Sequence, residues 1–349
     1  MKEVQVKLAE RSYPIFIDSG FASLREKLAA VTTGSLCLLT NPKVKRHCLG
    51  LLQKLLGNIP IVMIPDGERH KNLKTVERVY HQLIRHRVAR QTTLLLLGGG
   101  VVGDLGGFAA ATFMRGIRFV QLPTTLVAQV DSSIGGKLGV DLPEGKNLIG
   151  AFEQPRLVYA NVSLLKTLSR RDLVGGLAEV LKYGVIKDKD FFQWVLANKE
   201  NIFNGDIDTL THVVATSARI KAEVVSSDER ESGLRMILNF GHTFGHALER
   251  ITRYRKYTHG EAVAIGMVMA AELSQKMGHC RTETCEAIRA GIASLGLPTE
   301  IPHLPAQRWL DAIGVDKKRR GDTIHFVFAQ SVGQVMVQEV APEKLVRLL

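Results

Sequence analysis

Cysteine is sparse in this chain: Cys37, Cys48, Cys280 and Cys285 are the whole complement, and no two make a CxxC. Four in 349 residues exclude a disulfide scaffold. Long apolar runs are also missing. The longest, Ala262 to Ala271, stops at Glu272, short of the roughly 18 residues that a membrane span needs. The opening MKEVQVKLAER is charged from its second residue and has no apolar signal-peptide core. A soluble, cytoplasmic protein with no membrane partner is the expectation. Acidic residues are in deficit, 34 Asp and Glu against 46 Lys and Arg, for a net charge of +12. That excess invites anionic partners: nucleic acid, an acidic membrane or phosphorylated small molecules. Basic clusters stand at 43–47, 85–90, 250–256 and 317–320. No aromatic-interleaved RNA motif or zinc finger accompanies them, so nucleic acid is set aside.

What is present is ordinary for a folded protein. With 45% hydrophobic and 23% charged residues, disorder, collagen and coiled coil are poor readings. At roughly 100–200 residues per domain, the length suggests two domains. Apolar runs at 36–39, 61–64, 94–97, 119–122 and 157–160 read as buried strands, and Leu73, Val76, Tyr80, Leu83 and Ile84 recur at helical spacing between two of them. This alternation predicts a mostly parallel sheet covered on both faces. Val4, Val6 and Leu8, then Ile15–Ile17, predict a hairpin added to it. After about residue 162 helical patterns dominate, at 172–187, 206–227, 233–252, 259–277 and 282–295, with strand-like runs only at 323–328 and 334–340. The expected layout is an α/β domain over 1–162 and a mainly α-helical domain over 163–349.

The run Thr93–Leu97 leads into Gly98-Gly-Gly-Val-Val-Gly-Asp104, a literal G-x-G-x-x-G that follows a strand and opens a helix. Glycines let backbone approach a pyrophosphate, and the helix N-terminus supplies N–H donors, which hints at a dinucleotide. The turn is not at the first strand, and no acidic residue ends a strand about 20 positions later. The segment Asp66–Lys71, just after a strand, is the natural source of ribose contacts. Gly136-Lys137 and Gly145-Lys146 resemble P-loops and fail: Leu138 and Asn147 stand where Ser or Thr is needed. Both still look like anion grips, glycine turns carrying one fixed cation each.

Read as one helix, 233–251 places Arg235, Asn239, His242 and His246 within a stripe of roughly 60°, with Ile237, Phe240, Phe244 and Leu248 opposite. An exposed face normally carries Lys and Glu; this one carries imidazoles and an amide. Gly241 and Gly245 beside the stripe suggest close packing. His259 opens the next helix, and Glu179 and Lys182 share a face of an earlier one. A Glu and two His from separate helices make the open donor set of catalytic zinc.

Over nearly its whole length the chain resembles the 3-dehydroquinate synthases, within the sugar phosphate cyclases. The resemblance is carried by DGERHK (66–71), GGGVVGD (98–104), PTTLVAQVDSSIGGK (123–137), GKNLIGAF (145–152), GLAEVLKYG (176–184), SDERESGLRMILNFGHTFGHALE (227–249), HGEAVAIGM (259–267) and DKK (316–318). It implies a Rossmann-like NAD-binding domain, a helical metal- and substrate-binding domain, an active site in the cleft between them, one zinc or cobalt ion, and a homodimer. The implied metal ligands are Glu179, His242 and His259. The implied cofactor contacts are Asp66, Gly67, Glu68, Arg69, His70, Lys71, Gly100, Val101, Val102, Gly103, Asp104, Thr124, Thr125, Lys137, Lys146, Leu164, Leu165, Lys166 and Thr167. The implied substrate and catalytic residues are Arg115, Asp131, Lys137, Lys146, Asn147, Lys182, Lys221, Arg235, Asn239, His246 and Lys317 or Lys318, with Arg115 reaching a neighbouring subunit.

The implied reaction takes 3-deoxy-arabino-heptulosonate 7-phosphate to 3-dehydroquinate and phosphate. Its steps are oxidation at C5, phosphate elimination, reduction, ring opening and aldol closure, with NAD regenerated in each turnover. Arg235 and Lys221 are expected on the carboxylate, and Arg115, Asn147, Asn239 and His246 around the phosphate. Lys182 is expected near the metal-bound hydroxyls, and His246 in proton exchange near C5. Where many family members read KTGVNHP, this chain reads KLGVDLP, so Leu138, Asp141 and Leu142 depart from the pattern at positions expected in a loop. Competing readings are a cyclase making a different ring, whose substrate lacks the carboxylate, and a metal-dependent polyol dehydrogenase that releases NADH.

Overall fold

The computed structural model describes residues 1–313 and 323–349. The DKK segment with Lys317 and Lys318, and the basic run at 317–320, lie outside the described residues. The chain divides into two compact units, Met1–Ser169 with Gly205–Glu229, and Arg170–Asn204 with Arg230–Leu349.

The first part of the chain runs β1 (Lys2–Val6), β2 (Tyr13–Asp18), α1 (Leu24–Val31), β3 (Leu36–Thr40), α2 (Pro42–Leu56), β4 (Ile61–Met63) and α3 (Leu73–Arg85). It continues with β5 (Thr93–Gly98), α4 (Gly100–Thr112), β6 (Arg118–Pro123), β7 (Lys137–Leu142), β8 (Gly145–Phe152) and β9 (Val158–Asn161). Then come α5 (Arg170–Lys187), α6 (Lys189–Ala197), α7 (Lys199–Phe203), α8 (Ile207–Ser227), α9 (His242–Ile251) and α10 (His259–Lys276). Last are α11 (Thr282–Ser294), α12 (Ala306–Ile313), the antiparallel hairpin β10 (Ile324–Ser331) and β11 (Gln334–Val340), and a short helix α13 (Pro342–Arg347).

In the first unit a sheet runs in the order β1-β2-β9-β6-β5-β3-β4. Only the β1–β2 hairpin is antiparallel; the other pairs are parallel. Successive strand side chains point to opposite faces. Cys37, Leu39, Leu94 and Leu96 therefore pack with Val76, Val79 and Leu83 of α3 and with Leu105 and Ala109 of α4. Leu38, Leu95 and Leu97 pack on the other face with Leu24 and Leu28 of α1 and Cys48 and Leu52 of α2. A parallel sheet needs both faces covered, and here both are. Each fully buried leucine is worth about 1.5–3 kcal/mol of transfer free energy.

The chain passes outward from β3 to β4, then returns to β5 and β6 on the other side of β3. Such a reversal opens a crevice beyond the carboxyl ends of β3 and β5, where open α/β sheets bind ligands. The glycine turn leaves β5 at that point.

Helix α8 belongs to this unit although helices of the other unit precede and follow it. Ser226 Oγ accepts from Lys7 N at 2.9 Å, and Arg11 pairs with Glu229 at 2.7 Å.

In the second unit α10 is central. Ala262 to Ala271, the chain's longest apolar run, is buried all round. The expectation of one helix over 233–251 is corrected. Leu234–Asn239 is a 3₁₀ turn, Gly241 adopts φ 80°, and α9 begins at His242. The break has a packing cause. A Cβ at Gly241 would stand 2.5 Å from Met267 Cγ and 2.8 Å from Met267 N. Only glycine combines that left-handed φ with so close an approach to α10.

A second correction concerns Leu138, Asp141 and Leu142, which lie on strand β7, paired with β8, and not in a loop. Leu138 and Val140 are buried in the cluster around α4.

No described helix is long and apolar enough to cross a membrane.

Candidate functional site

In the second unit, three ligand atoms from three helices converge. Glu179 is in mid-α5, His242 is the first residue of α9, and His259 is the first of α10. Glu179 Oε1 stands 3.4 Å from His242 Nε2 and 3.2 Å from His259 Nε2. With metal–ligand bonds of about 2.0–2.1 Å, ligand atoms at tetrahedral corners are about 3.3–3.4 Å apart. Both Glu179 distances match that spacing, and the three ligand atoms all lie within 4.8 Å of one another, a set that could hold a divalent metal.

Sequence-local devices fix both histidines. Thr258 caps α10 in a reciprocal capping box with Glu261, and Arg171 grips Glu261 through both carboxylate oxygens at 2.7 Å. The left-handed Gly241 sets the start of α9. Burial works against the Glu179 charge, but the Lys182 ammonium, paired with it one turn along α5, and the two imidazoles hold its carboxyl well below the usual range. Burial also opposes charge on His259, yet bonds to Glu179 and Glu249 raise its pKa to about 10. A metal must therefore displace a proton there.

Glu249 was not anticipated from the sequence. It is 3% exposed, and its Oε2 lies 3.4 Å from His259 Nδ1, on the far side of the ring from Glu179. A carboxylate behind a ligand histidine fixes its tautomer and orientation. The signal was available: counted from His242, residues 246 and 249 share the helix face of the first ligand. A second convergent set, His246, Glu249 and His259, follows from this.

Of the expected stripe, His242 and His246 stay together, with ring centroids 5.2 Å apart, and His246 and His259 are 5.8 Å apart. Arg235, 1% exposed, and Asn239 belong to the 3₁₀ turn before the break. Asn239 donates to Glu231 Oε1 at 2.7 Å, another residue not anticipated.

In the first unit, the glycine turn opens α4 without a side-chain cap. Thr124 N donates to Gly98 O at 2.9 Å, and a Cβ at Gly99 would meet Thr125 Cγ2 at 3.0 Å. Ser132 beside Gly100 and Gln121 beside Gly103 complete the wall. Uncapped first-turn N–H groups next to small side chains fit a pyrophosphate.

Buried Lys71 donates to Asp104 Oδ2 at 2.5 Å and to Asn147 Oδ1 at 2.7 Å. Burial disfavours its charge, but Asp104 and Glu68 hold the ammonium above its ordinary range. Lys146 pairs with Glu68 at 3.3 Å, and Asp66 accepts from Asn41 at 3.0 Å. Lys221 of α8 donates to the Asp131 carboxylate and carbonyl, both at 2.7 Å. Leu164, Leu165, Lys166 and Thr167 form a 3₁₀ turn after β9, with the leucines buried. Lys137 is exposed at the start of β7. Arg115 is exposed on a left-handed turn, φ 67°.

These two sets meet an independent comparison. Family models for the 3-dehydroquinate synthase N-terminal and C-terminal regions match residues 61–175 and 176–319. The chain is 47% identical to the 3-dehydroquinate synthase of Halorhodospira halophila, over 99% of this chain and 98% of that one. The chain belongs to the 3-dehydroquinate synthase family.

It is 45% identical to the synthase of Syntrophotalea carbinolica, over 99% and 97% of the two chains. Among solved structures, a 2-deoxy-scyllo-inosose synthase bound to carbaglucose-6-phosphate, NAD+ and Co2+ shares the fold at TM-score 0.87 and 24% identity, covering 99% of each chain. The 2-epi-5-epi-valiolone synthase of Streptomyces hygroscopicus, with NAD+ and Zn2+, does so at 0.87 and 24%, over 99% and 96%.

Proposed function

We propose that this chain converts 3-deoxy-arabino-heptulosonate 7-phosphate to 3-dehydroquinate and phosphate, as a carbon–oxygen lyase that uses NAD and one zinc or cobalt ion. The observation that carries the reading is the Glu179–His242–His259 set, with Glu179 3.2–3.4 Å from both imidazoles, within a family whose relatives are named for this reaction. Glu179, His242 and His259 hold the metal, which supplies Lewis acidity that lowers a substrate hydroxyl's pKa. The turn at Gly100–Asp104, the segment Asp66–Lys71, Thr124, Thr125, Lys146 and the turn Leu164–Thr167 hold NAD, which supplies a hydride acceptor.

The remaining work falls to this chain's own side chains. Lys182, paired with Glu179, holds a cation where substrate hydroxyls are deprotonated. His246, exposed beside two ligand rings, exchanges a proton at its imidazole near C5. Arg235 offers a planar fork for a carboxylate, and Lys221, oriented by Asp131, a point charge. Asn239, steadied by Glu231, and Asn147, steadied by Lys71, donate to the phosphate. Arg115, exposed on its strained turn, serves a neighbouring subunit in a homodimer.

The test is incubation of the purified protein with the heptulosonate phosphate, NAD+ and Zn2+, followed by NMR and phosphate assay. Equimolar phosphate and 3-dehydroquinate support the proposal. No phosphate release, or a carboxylate-free cyclitol formed from another sugar phosphate, refutes it.

A further inference from the structure

The departures at Leu138 and Asp141 are not absorbed by the reaction, yet the structure ties both to the cofactor cluster. Leu138 is pressed onto α4: a Cβ at Gly107 would meet Leu138 Cδ2 at 2.4 Å. Three residues further along β7, Asp141 reaches the opposite side of the cluster. Its backbone N donates to Lys71 O at 2.8 Å, with a parallel bridge to Asn72. Its carboxylate accepts from Asn147 N at 2.9 Å. Asn147 has a left-handed backbone, φ 52°, which Asn tolerates better than most residues but which still needs fixing. Asn147 Oδ1 in turn accepts from Lys71 Nζ, which also holds Asp104.

The contacts close a ring. It leaves α4 at Gly107, passes through Leu138, Asp141, Asn147 and Lys71, and returns to α4 at Asp104, three residues from where it began. Gly107 and Asp104 therefore share a helix face. The hairpin β7–β8 is thus bolted to the helix whose N-terminus is the glycine turn.

We infer that Asp141 is a positioning residue for the cofactor: its carboxylate fixes Asn147, and through it Lys71 and Asp104, in the arrangement that receives NAD. The inference rests on the NAD reading above. Asp141 touches neither substrate nor cofactor in this account. Its removal frees the Asn147 backbone and loosens one of two acceptors on a buried ammonium.

The experiment compares the wild-type protein, stripped of nucleotide, with Asp141→Ala and Asp141→Asn. NAD+ binding is read by calorimetry, KM and kcat at saturating NAD+, and folding by thermal melting. A hydrogen bond to a charged group is worth about tenfold in affinity, so Asp141→Ala weakens NAD+ binding by about tenfold. Because Asn147 also donates to the substrate phosphate in the proposed reaction, the substrate KM at saturating NAD+ rises in the same variant. The Asn variant keeps an acceptor oxygen and is rescued to within about threefold of wild type. If Asp141→Ala does not fold, Asp141→Ser carries the same expectation, because its hydroxyl is too short to reach Asn147 N. An Ala or Ser variant that folds and binds NAD+ within about twofold of wild type overturns the positioning role alone. Wild-type protein that binds no NAD+ overturns the cofactor reading and this inference with it.

Discussion

Glu249→Gln gives the sharpest prediction about the metal set. The substitution keeps the shape of a side chain that is 3% exposed and removes the charge 3.4 Å from His259 Nδ1. Two effects follow, and they oppose each other. Losing the carboxylate behind a ligand histidine costs about 10–100-fold in metal affinity, or about 1.4–2.8 kcal/mol. The same loss lowers the pKa of metal-free His259, raised to about 10 with help from Glu249, so a proton competes less with the metal. The sign is definite. Below about pH 10 the wild-type His259 must shed its proton to bind metal, so affinity rises by about tenfold per pH unit. The variant follows the same slope only up to its own, lower pKa and levels off above it. The deficit of Glu249→Gln is therefore smallest in acid and grows with pH. Zinc affinity by chelator competition, from about pH 6.5 to 9, reads both slopes directly. Parallel curves, or a variant indistinguishable from wild type at the alkaline end, would refute the assignment of Glu249 to His259.

Other perturbations follow from the same geometry. Thr258→Ala removes the N-cap of α10 and costs about 1 kcal/mol of stability, measured by urea unfolding; it also weakens zinc binding, because His259 is the next residue. Gly241→Ala forces a Cβ into Met267 at φ 80° and costs well over the roughly 1 kcal/mol of an ordinary glycine replacement, with zinc affinity falling in the same variant. If Arg115 serves a neighbouring subunit, co-expressed Arg115→Ala and Glu179→Ala chains, each inactive alone, regain up to roughly a quarter of wild-type activity through mixed dimers. Absence of any recovery from isolated mixed dimers argues that Arg115 acts within its own chain.

Much of this arrangement was legible in the sequence. The parallel strands announced themselves as short apolar runs between turn residues, and Leu94–Leu97 leading into glycine located the glycine turn between β5 and α4. Glu179, His242 and His259 stood out only weakly by spacing, and the family resemblance is what singled them out; the structure brings the three together. Three things were not legible. The break at Gly241 depends on how closely α10 approaches, which no local periodicity records; a continuous helix put Asn239 and His242 on one false stripe. Glu249 was within reach, since at 100° per residue it falls about 20° from His242 wherever the helix begins. Helix α8 has the texture of its helical neighbours, so its packing against β1 and the Asp131 turn could not be read from composition. Asp141 and Leu138 were noticed as departures, but their meaning needed the pairing of β7 with β8.

The central claim is that NAD is reduced and reoxidised within one turnover by a metal-loaded enzyme. The direct measurement supplies NAD+ far below the substrate concentration and follows absorbance at 340 nm alongside phosphate release. The account predicts many equivalents of phosphate and 3-dehydroquinate per NAD+, with no net NADH at the end. NADH accumulating in step with product, or phosphate release that halts after one equivalent per NAD+, would contradict it.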